Sequence, residues 1–232
     1  MEQPVNLAKK AAGEKATEWV KSGMTLGLGT GSTAYWTILK LGEMVRQGLN
    51  IRAVATSQQS EDLARKLSIP IVSFSDIDCI DLDIDGADEV DGNLCLIKGG
   101  GGALLREKIV AVNSSKMIVV ADAGKLVPAL GHFPLPVEIV PFGSELTLRA
   151  LKKLNGAPVL RMKGTMPYKT DNGNLIADCH FGQIQDPVKL SQQINSIPGV
   201  AENGLFINMA DILVIGNDQG ETRIIKRSAV SS

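Results

Sequence analysis

Short apolar runs alternate with segments of helical periodicity through the first half of the chain, and this alternation constrains the fold more than any other feature. The apolar run 24–28 leads into a glycine loop, 29–33, and residues 34–45 then have helical spacing. Runs at 51–55 and 71–74 have the composition of strands and flank a predicted helix at 60–67. Strands that alternate with helices are typical of a parallel sheet with helices on its faces. We therefore predict an α/β fold with a Rossmann-like parallel sheet.

From about residue 131 the turn and cap signals predict a different unit. They mark, in order, a strand at 137–140, a helix capped by Ser144, a strand near Val159, a hairpin at Asn172-Gly173, a helix opened by Asp186-Pro187 and a strand at 205–208. The order β-α-β-β-α-β is that of the ferredoxin-like arrangement. The last two apolar runs resemble a hairpin that returns to the first sheet. We predict a Rossmann-like domain of 1–130 plus 209–232, with a smaller α+β domain, 131–208, inserted into it.

Composition excludes several classes of function. The chain is 44% hydrophobic and 21% charged with a net charge of −1, which is typical of a globular protein and argues against a nucleic-acid partner. No apolar run approaches the roughly 18 residues that cross a bilayer, and the N-terminal segment does not resemble a signal peptide. Cys79, Cys95 and Cys179 are too widely spaced to indicate a disulfide framework or a zinc site. We expect a cytoplasmic protein that does not bind membranes.

The glycine loop Gly29-Thr30-Gly31-Ser32-Thr33, followed by Ala34, matches the pattern of a dinucleotide-binding loop. That pattern also requires an acidic residue at the end of the second strand, where this chain has Ala55-Thr56-Ser57. A dinucleotide is therefore disfavoured. A loop of glycines and hydroxyl groups at a helix N-terminus still favours one phosphate group, and a purely structural turn is the alternative.

An acidic stretch runs from Asp81 to Asp91. Its first half resembles a calcium-binding loop, but the twelfth position of that loop is Gly92 where a glutamate is required. A solvated strand edge would explain Asp81 and Asp83. Asp85 and Asp88 flank Gly86-Ala87 at the predicted end of a strand, which is where ligands bind in open α/β sheets.

Lys98 opens a run of four glycines, 99–102, that joins an apolar strand to a regular helix. Four glycines carry a high entropic cost, so either a ligand approaches this backbone closely or the run is a flexible linker. In the first case Lys98 supplies a cation and Glu107 a carboxylate base. Lys125 follows a predicted buried strand and could bind an anion, although a solvated lysine is equally compatible with its position.

Together these segments resemble the type A ribose 5-phosphate isomerases. The residues that carry the resemblance are Gly29-Thr30-Gly31-Ser32-Thr33, Asp85-Gly86-Ala87-Asp88-Glu89, Lys98-Gly99-Gly100-Gly101, Arg106-Glu107-Lys108, Ala121-Asp122, Lys125, Phe133-Pro134-Leu135-Pro136-Val137-Glu138, Asn172-Gly173-Asn174, Ile197-Pro198-Gly199-Val200 and Gly204-Leu205-Phe206. They follow one another over nearly the whole chain. The resemblance implies interconversion of D-ribose 5-phosphate and D-ribulose 5-phosphate in the non-oxidative pentose phosphate pathway, without cofactor or metal. It also implies a homo-oligomer, with a dimer favoured.

The resemblance assigns roles to particular positions. Glu107 becomes the general base and acid, with Asp85, Asp88 and Lys98 around the reacting carbons. The implied substrate-binding residues are Thr30, Gly31, Ser32, Thr33, Asp85, Gly86, Ala87, Asp88, Lys98, Gly99, Gly100, Gly101, Lys125 and, in the first helix, Lys9 in preference to Lys10. Two alternatives belong to other classes: a non-catalytic regulator that binds a sugar phosphate, and a nicotinamide-dependent dehydrogenase, which the missing acidic residue disfavours.

Overall fold

The computed structural model describes residues 6–227, which form two compact units. The helices are α1 (Leu7–Ala16), α2 (Ala34–Arg46), α3 (Gln58–Lys66), α4 (Leu104–Val112), α5 (Ser144–Lys153) and α6 (Pro187–Asn195). The strands are β1 (Thr25–Leu28), β2 (Arg52–Ala55), β3 (Leu82–Gly86), β4 (Glu89–Val90), β5 (Leu96–Ile97), β6 (Met117–Asp122), β7 (Leu135–Ile139), β8 (Pro158–Leu160), β9 (Met162–Lys163), β10 (Met166–Pro167), β11 (Leu175–Cys179), β12 (Val200–Asn203), β13 (Leu205–Phe206), β14 (Ile212–Gly216) and β15 (Thr222–Lys226).

The larger unit takes in residues 6–87, 106–126 and 208–227 and is built on a six-stranded sheet. The strand order is β15-β14-β6-β3-β1-β2, and every neighbouring pair is parallel except the β14–β15 hairpin. The parallel sheet predicted from the sequence is confirmed. Its order reverses at β1, since β2 lies on one side of β1 and β3 on the other. Such a switch point opens a crevice at the carboxyl ends of the two strands, where ligands bind in this class of sheet.

Apolar residues that recur along each element bury one face of this sheet. Leu26 and Leu28 of β1 lie in one core with Ile84 of β3, Val120 of β6 and Ile38 of α2. Helix α1 packs on β6 and β14. This rigid centre holds the loops that leave the carboxyl ends of β1, β3 and β6.

Two expectations for the larger unit are wrong. The run 71–74 is not a strand, because only Ile71 makes a bridge, to Ala53, and Ser73 then caps a 3₁₀ turn at Phe74–Asp76. Asp83 is not on a solvated edge. It is fully buried because β3 is paired on one side with β1 and on the other with β6.

The smaller unit, Asp88–Leu105 plus Val127–Ile207, contains a four-stranded antiparallel sheet of order β12-β7-β11-β8. Numbered along this unit the order is 4-1-3-2, with α5 and α6 as the two crossovers, so the predicted β-α-β-β-α-β arrangement is confirmed. Leu135, Val137 and Ile139 of β7 face the core. Pro136 and Glu138 therefore face the other side of the sheet.

The fourth strand of that arrangement was predicted at 205–208 but is β12, Val200–Asn203. Gly204 ends it with a turn in which the Asn203 side chain accepts a hydrogen bond from the Leu205 N–H. Leu205–Phe206 then pairs with β5, which also pairs with β4, in a separate three-stranded sheet. Between β4 and β5 the Asp91 carboxylate accepts from the N–H groups of Asn93 and Cys95 and so stabilises the turn that joins the two strands.

The boundaries 1–130, 131–208 and 209–232 stay a prediction, and residues 1–5 and 228–232 of that first domain lie outside the described range. Between residues 6 and 227, no helix combines the length and the apolar character needed to span a membrane.

Candidate functional site

In the larger unit, the glycine loop lies at the switch point between β1 and β3 and is fixed to Asp85. The Thr30 N–H donates to Asp85 Oδ1 at 2.9 Å, and Asp85 is fully buried. A side chain at Gly29 is excluded, because its Cβ would lie 2.1 Å from Asp85 Oδ1 and 2.5 Å from Asp85 Cα. Gly31 has a φ of +109°, in the region that glycine adopts without strain. The structure thus explains why both of these loop positions are glycine.

Asp85 also fixes the backbone that follows it. Its Oδ1 accepts the N–H of Gly86 at 2.6 Å. Together with the bond from Thr30, this gives one carboxylate oxygen two backbone donors. Ala87 follows Gly86 as the last residue of this segment of the unit. Asp85 is therefore a buried acid placed at the mouth of the crevice between β1 and β3.

A cluster of hydroxyl groups fills the space between the glycine loop and the end of β2. Thr30 Oγ1 donates to Ser57 Oγ at 2.8 Å and lies 2.7 Å from Thr56 Oγ1. Ser60 Oγ donates to the Gly29 carbonyl at 2.7 Å, and Ser57 caps α3 by accepting the Ser60 N–H. Thr56, Ser57 and Ser60 are functional candidates that the sequence interpretation missed. The available signal was the run Thr56-Ser57 at the carboxyl end of a strand next to the glycine loop.

The remaining hydroxyl side chains of the loop stand at the start of α2. Ser32 Oγ accepts a hydrogen bond from Lys9 Nζ at 2.9 Å, while Lys10 lies over the Trp36 ring. Thr33 is at the N-cap position of α2 and is 8% exposed. A lysine beside a helix N-terminus adds a full charge to the partial positive charge there, an arrangement that favours an anion.

Two further predicted site residues belong to the larger unit. Glu107 lies in the first turn of α4 and is only 4% exposed, so it is not the surface glutamate that a lone helical Glu usually is. The helix dipole favours a carboxylate at that position. Lys125 ends a 3₁₀ turn after β6, in which the Asp122 side chain accepts the Gly124 N–H, and it is half-buried.

In the smaller unit, Lys98 follows β5 and is 2% exposed. Its N–H donates to the Gly204 carbonyl at 2.9 Å, and its ammonium group lies 5.3 Å from the centre of the Phe206 ring. An ammonium group over an aromatic face is stabilised by the ring quadrupole. Lys98 is thus held in place by its own backbone, with its side-chain nitrogen over an apolar neighbour.

The glycine run after Lys98 is fastened to Asp88. The Gly100 N–H donates to Asp88 Oδ2 at 2.7 Å, and a Cβ at Gly100 would lie 2.5 Å from Asp88 Oδ1. Gly99 has a φ of +104°, and a side chain there would meet Leu104 and Pro136. The run is therefore an ordered part of the fold, and the interpretation as a flexible linker is wrong.

Within each unit the structure brings some of the predicted residues together. In the larger unit these are Thr30 with Asp85 and Lys9 with Ser32; in the smaller unit, Asp88 with Gly100. Hydroxyl groups and a lysine at a helix N-terminus suit a phosphate, and buried carboxylates suit proton transfer. At the end of β2 the hydroxyls of Thr56 and Ser57 occupy the position that a dinucleotide site gives to an acid. Residues 6–227 contain no group of three His, Cys, Asp or Glu side chains that could hold a metal ion.

Comparison with known proteins places these features in one family. The model of the family "Ribose 5-phosphate isomerase A (phosphoriboisomerase A)" matches residues 52–220. A ribose-5-phosphate isomerase A of Bacillus mycoides (strain KBAB4) is 54% identical over 213 residues, 91% of this chain and 96% of that protein. The protein of the same name from Jannaschia sp. (strain CCS1) is 49% identical over 229 residues, 95% of this chain and 87% of its own length.

Solved structures agree with the sequence comparisons. The ribose 5-phosphate isomerase of Plasmodium falciparum matches with a TM-score of 0.93 and 36% identity, over 97% of this chain and all 100% of its own. A D-ribose-5-phosphate isomerase in complex with phospho-erythronic acid matches with a TM-score of 0.92 and 40% identity, over the same 97% and 100%. The likeness therefore extends over both units.

Proposed function

The chain belongs to the ribose 5-phosphate isomerase A family and is an aldose-ketose isomerase, and we propose that it interconverts D-ribose 5-phosphate and D-ribulose 5-phosphate through an enediolate intermediate. The observation that carries this proposal is the buried carboxylate of Glu107, which follows the four-glycine run by a few residues and lies in the first turn of α4. The reaction moves a carbonyl group between C1 and C2. It requires one base that removes a proton from one carbon and returns it to the other.

Glu107 is the proposed base and acid. In the forward direction it takes the C2 proton of the open-chain aldose, the electron pair of that C–H bond forms the C1–C2 double bond, and the C1 oxygen gains the negative charge. Glu107 then gives a proton, partly exchanged with solvent, to C1, while the C2 hydroxyl proton passes to the C1 oxygen and C2 becomes the carbonyl. No electrons leave the substrate. The reaction therefore consumes no external oxidant or reductant.

Negative charge on O1 and O2 must be stabilised during this transfer. We propose that the ammonium group of Lys98 and N–H groups of the glycine run supply this stabilisation. Donors fixed before the reaction are effective because they do not have to reorganise as the charge develops. The fixed position of Lys98 and the ordered glycine run support this role. Asp85 and Asp88 are proposed to move hydroxyl protons and to assist opening of the sugar ring.

The phosphate end is assigned to the loop at the start of α2. Gly31, Ser32 and Thr33 offer N–H and hydroxyl donors, and Lys9 adds a charge beside Ser32. Lys125 is proposed as a second cation for the same group. This division separates the residues that bind the phosphate from those that perform the chemistry.

The cellular setting follows from the same family. We propose that the protein works as a homo-oligomer, with a dimer favoured, in the cytoplasm and in the non-oxidative pentose phosphate pathway. Its only substrate partner in this proposal is a pentose phosphate.

Incubation of the purified protein with ribose 5-phosphate in D₂O, with and without EDTA, tests the proposal. We expect ketose to form at the same rate in both samples, with solvent deuterium entering at carbon. An active protein without any carbon-bound deuterium after many turnovers would contradict the enediolate. Loss of activity in EDTA would contradict a reaction that needs no metal, and a protein that binds the sugar phosphate without turnover would be the non-catalytic regulator.

A further inference from the structure

Arg161, which follows β8 in the smaller unit, contacts the backbone of the glycine run. Its Nη1 donates to the carbonyl oxygens of Gly99 at 2.9 Å and Gly100 at 3.1 Å. Its own N–H donates to Ile176 of β11, so the residue is anchored to the sheet from which its side chain extends. One guanidinium nitrogen thus holds two successive peptide groups of the run.

Asp178 on β11 holds the guanidinium group of Arg161. Nε donates to Asp178 Oδ2 at 2.9 Å and Nη2 to Oδ1 at 2.5 Å, and the two side chains are 16% and 23% exposed. Such a two-pronged pair fixes the plane of the guanidinium as well as its position. Lysine cannot reproduce this geometry, because an ammonium group is a point charge.

Tyr168 supports the next carbonyl. Its ring centre lies 6.0 Å from the guanidinium carbon, and its hydroxyl donates to the Gly101 carbonyl at 3.4 Å. Burial raises the pKa of this hydroxyl, so the hydroxyl keeps its proton near neutral pH. A Cβ at Gly102 would lie 2.4 Å from the Tyr168 hydroxyl oxygen. Three successive carbonyl groups of the run therefore face the side chains of Arg161 and Tyr168.

The direction of these carbonyls determines the direction of the N–H groups. The peptide bonds between residues 6 and 227 are all trans, and in a trans peptide the N–H points away from the preceding C=O. The Gly100 N–H is used by Asp88, and the Gly102 N–H donates to the Gly99 carbonyl. The Gly101 N–H belongs to the peptide whose carbonyl is held by Arg161, so it points away from Arg161. Because glycines have no side chains to restrict their backbone, this direction depends on the contacts made by the carbonyls.

We propose that Arg161, held by Asp178, is a positioning residue that aims the Gly101 N–H at the oxygen on which negative charge develops. The inference rests on the proposed isomerase function and adds to it a residue outside the motifs that bear the chemistry. Arg161 touches no substrate atom in this account. It acts through the Gly100–Gly101 peptide.

The test compares Arg161→Met, Arg161→Lys and Arg149→Met with the wild type. Arg149 is a matched control, since it lies on α5 and its Nε donates only to the Glu145 carbonyl one turn earlier. The readouts are kcat and KM for ribose 5-phosphate, together with inhibition constants for phospho-erythronic acid and for inorganic phosphate. Phospho-erythronic acid bears negative charge on two oxygens of a planar carboxylate, as the enediolate does on O1 and O2, whereas inorganic phosphate reports only on the phosphate site.

We expect Arg161→Met to lower kcat by about tenfold to a hundredfold, the usual effect of misplacing a reacting group by about 1 Å. Inhibition by phospho-erythronic acid should weaken by a similar factor, while inhibition by inorganic phosphate and the properties of Arg149→Met stay unchanged. Equal weakening of both inhibitors would overturn the proposal, because a general loss of structure raises both inhibition constants. If Arg161→Met does not fold, Arg161→Lys decides: a lower kcat with unchanged phosphate inhibition supports the positioning role, and wild-type kcat overturns it. An inactive wild type contradicts the proposed function, whereas an active wild type with unaffected variants contradicts the positioning role alone.

Discussion

Replacement of Gly29 by alanine tests the packing of the glycine loop against β3. The added Cβ would lie 2.1 Å from Asp85 Oδ1, 2.3 Å from Asp85 Cγ and 2.5 Å from Asp85 Cα. Carbon atoms in contact are separated by about 3.5–4.0 Å, so the loop and the strand must move apart by about 1 Å or more. The Cα belongs to a strand paired on both sides, and a rotamer change of Asp85 therefore cannot relieve the clash.

Two effects contribute to the loss of stability in Gly29→Ala. Overpacking of this kind costs about 1–3 kcal/mol. Weakening of the charge-assisted hydrogen bond from the Thr30 N–H to Asp85 adds about 1 kcal/mol or more. We expect a total of about 3 kcal/mol, which corresponds to a fall of roughly 6–12 °C in Tm for a chain of this length. Displacement of the loop by about 1 Å should also lower kcat/KM by about a hundredfold.

The assay is thermal unfolding followed by circular dichroism, with kcat/KM measured on the same preparations. Gly92→Ala is the control, since a Cβ at Gly92 meets no atom within 4 Å and the residue is not in the left-handed region. The control should stay close to the wild type in both measurements. If Gly29→Ala matches Gly92→Ala in Tm and in activity, the close approach of the loop to Asp85 is refuted.

Three further predictions concern other parts of the molecule. Burial, with a smaller contribution from Asp178, raises the pKa of the Cys179 thiol from 9.0 to about 12. Because the pKa of the thiol is higher in the folded than in the unfolded state, the stability contributed by this thiol is complete below pH 9 and falls by about 1.4 kcal/mol per pH unit above it. Denaturation experiments at pH 8–11 should therefore show that the free energy of unfolding declines more steeply with pH in the wild type than in Cys179→Ala. Glu138→Gln should destabilise the protein by about 2 kcal/mol, because the Glu138 carboxylate accepts from Thr170 Oγ1 and from the side-chain amides of Asn172 and Asn174. It should also speed hydrogen exchange at the Asn174 N–H, which donates to the same Thr170 Oγ1; unchanged exchange would contradict this. Lys125→Ala should raise KM for ribose 5-phosphate with little change in kcat, and an unchanged KM would place Lys125 away from the phosphate.

The sequence predicts the elements of the larger unit well where the pattern is local. The apolar run, glycine loop and helix at 24–45 correspond closely to β1, the loop and α2, because periodicity and the glycine signal agree there. The burial of Asp83 could not be predicted, since alternating aspartates look the same on an edge strand and on a central strand. Strand order decides between these cases, and that order depends on pairings between distant segments.

Prediction of the site from the sequence has the same limit, because contacts between distant segments leave no local pattern. Glycine loops and the carboxylates of Asp85, Asp88 and Glu107 are recognisable because they stand at strand ends and helix starts. Arg161 is not recognisable in this way, since it lies about 60 positions from the glycines that it contacts and no local pattern connects the two segments. Ser57 and Ser60 give a weak signal, because hydroxyl residues at the start of a helix are usually caps, and Ser57 is also a cap here.

The most direct test of the central claim is kcat of Glu107→Gln with ribose 5-phosphate. The substitution keeps the size of the side chain and removes its ability to accept a proton. We expect a kcat lower by about a hundredfold to ten-thousandfold, with KM and the inhibition constant of inorganic phosphate within about threefold of the wild type. A Glu107→Gln protein whose kcat stays within about threefold of the wild type would remove Glu107 from proton transfer and contradict the mechanism.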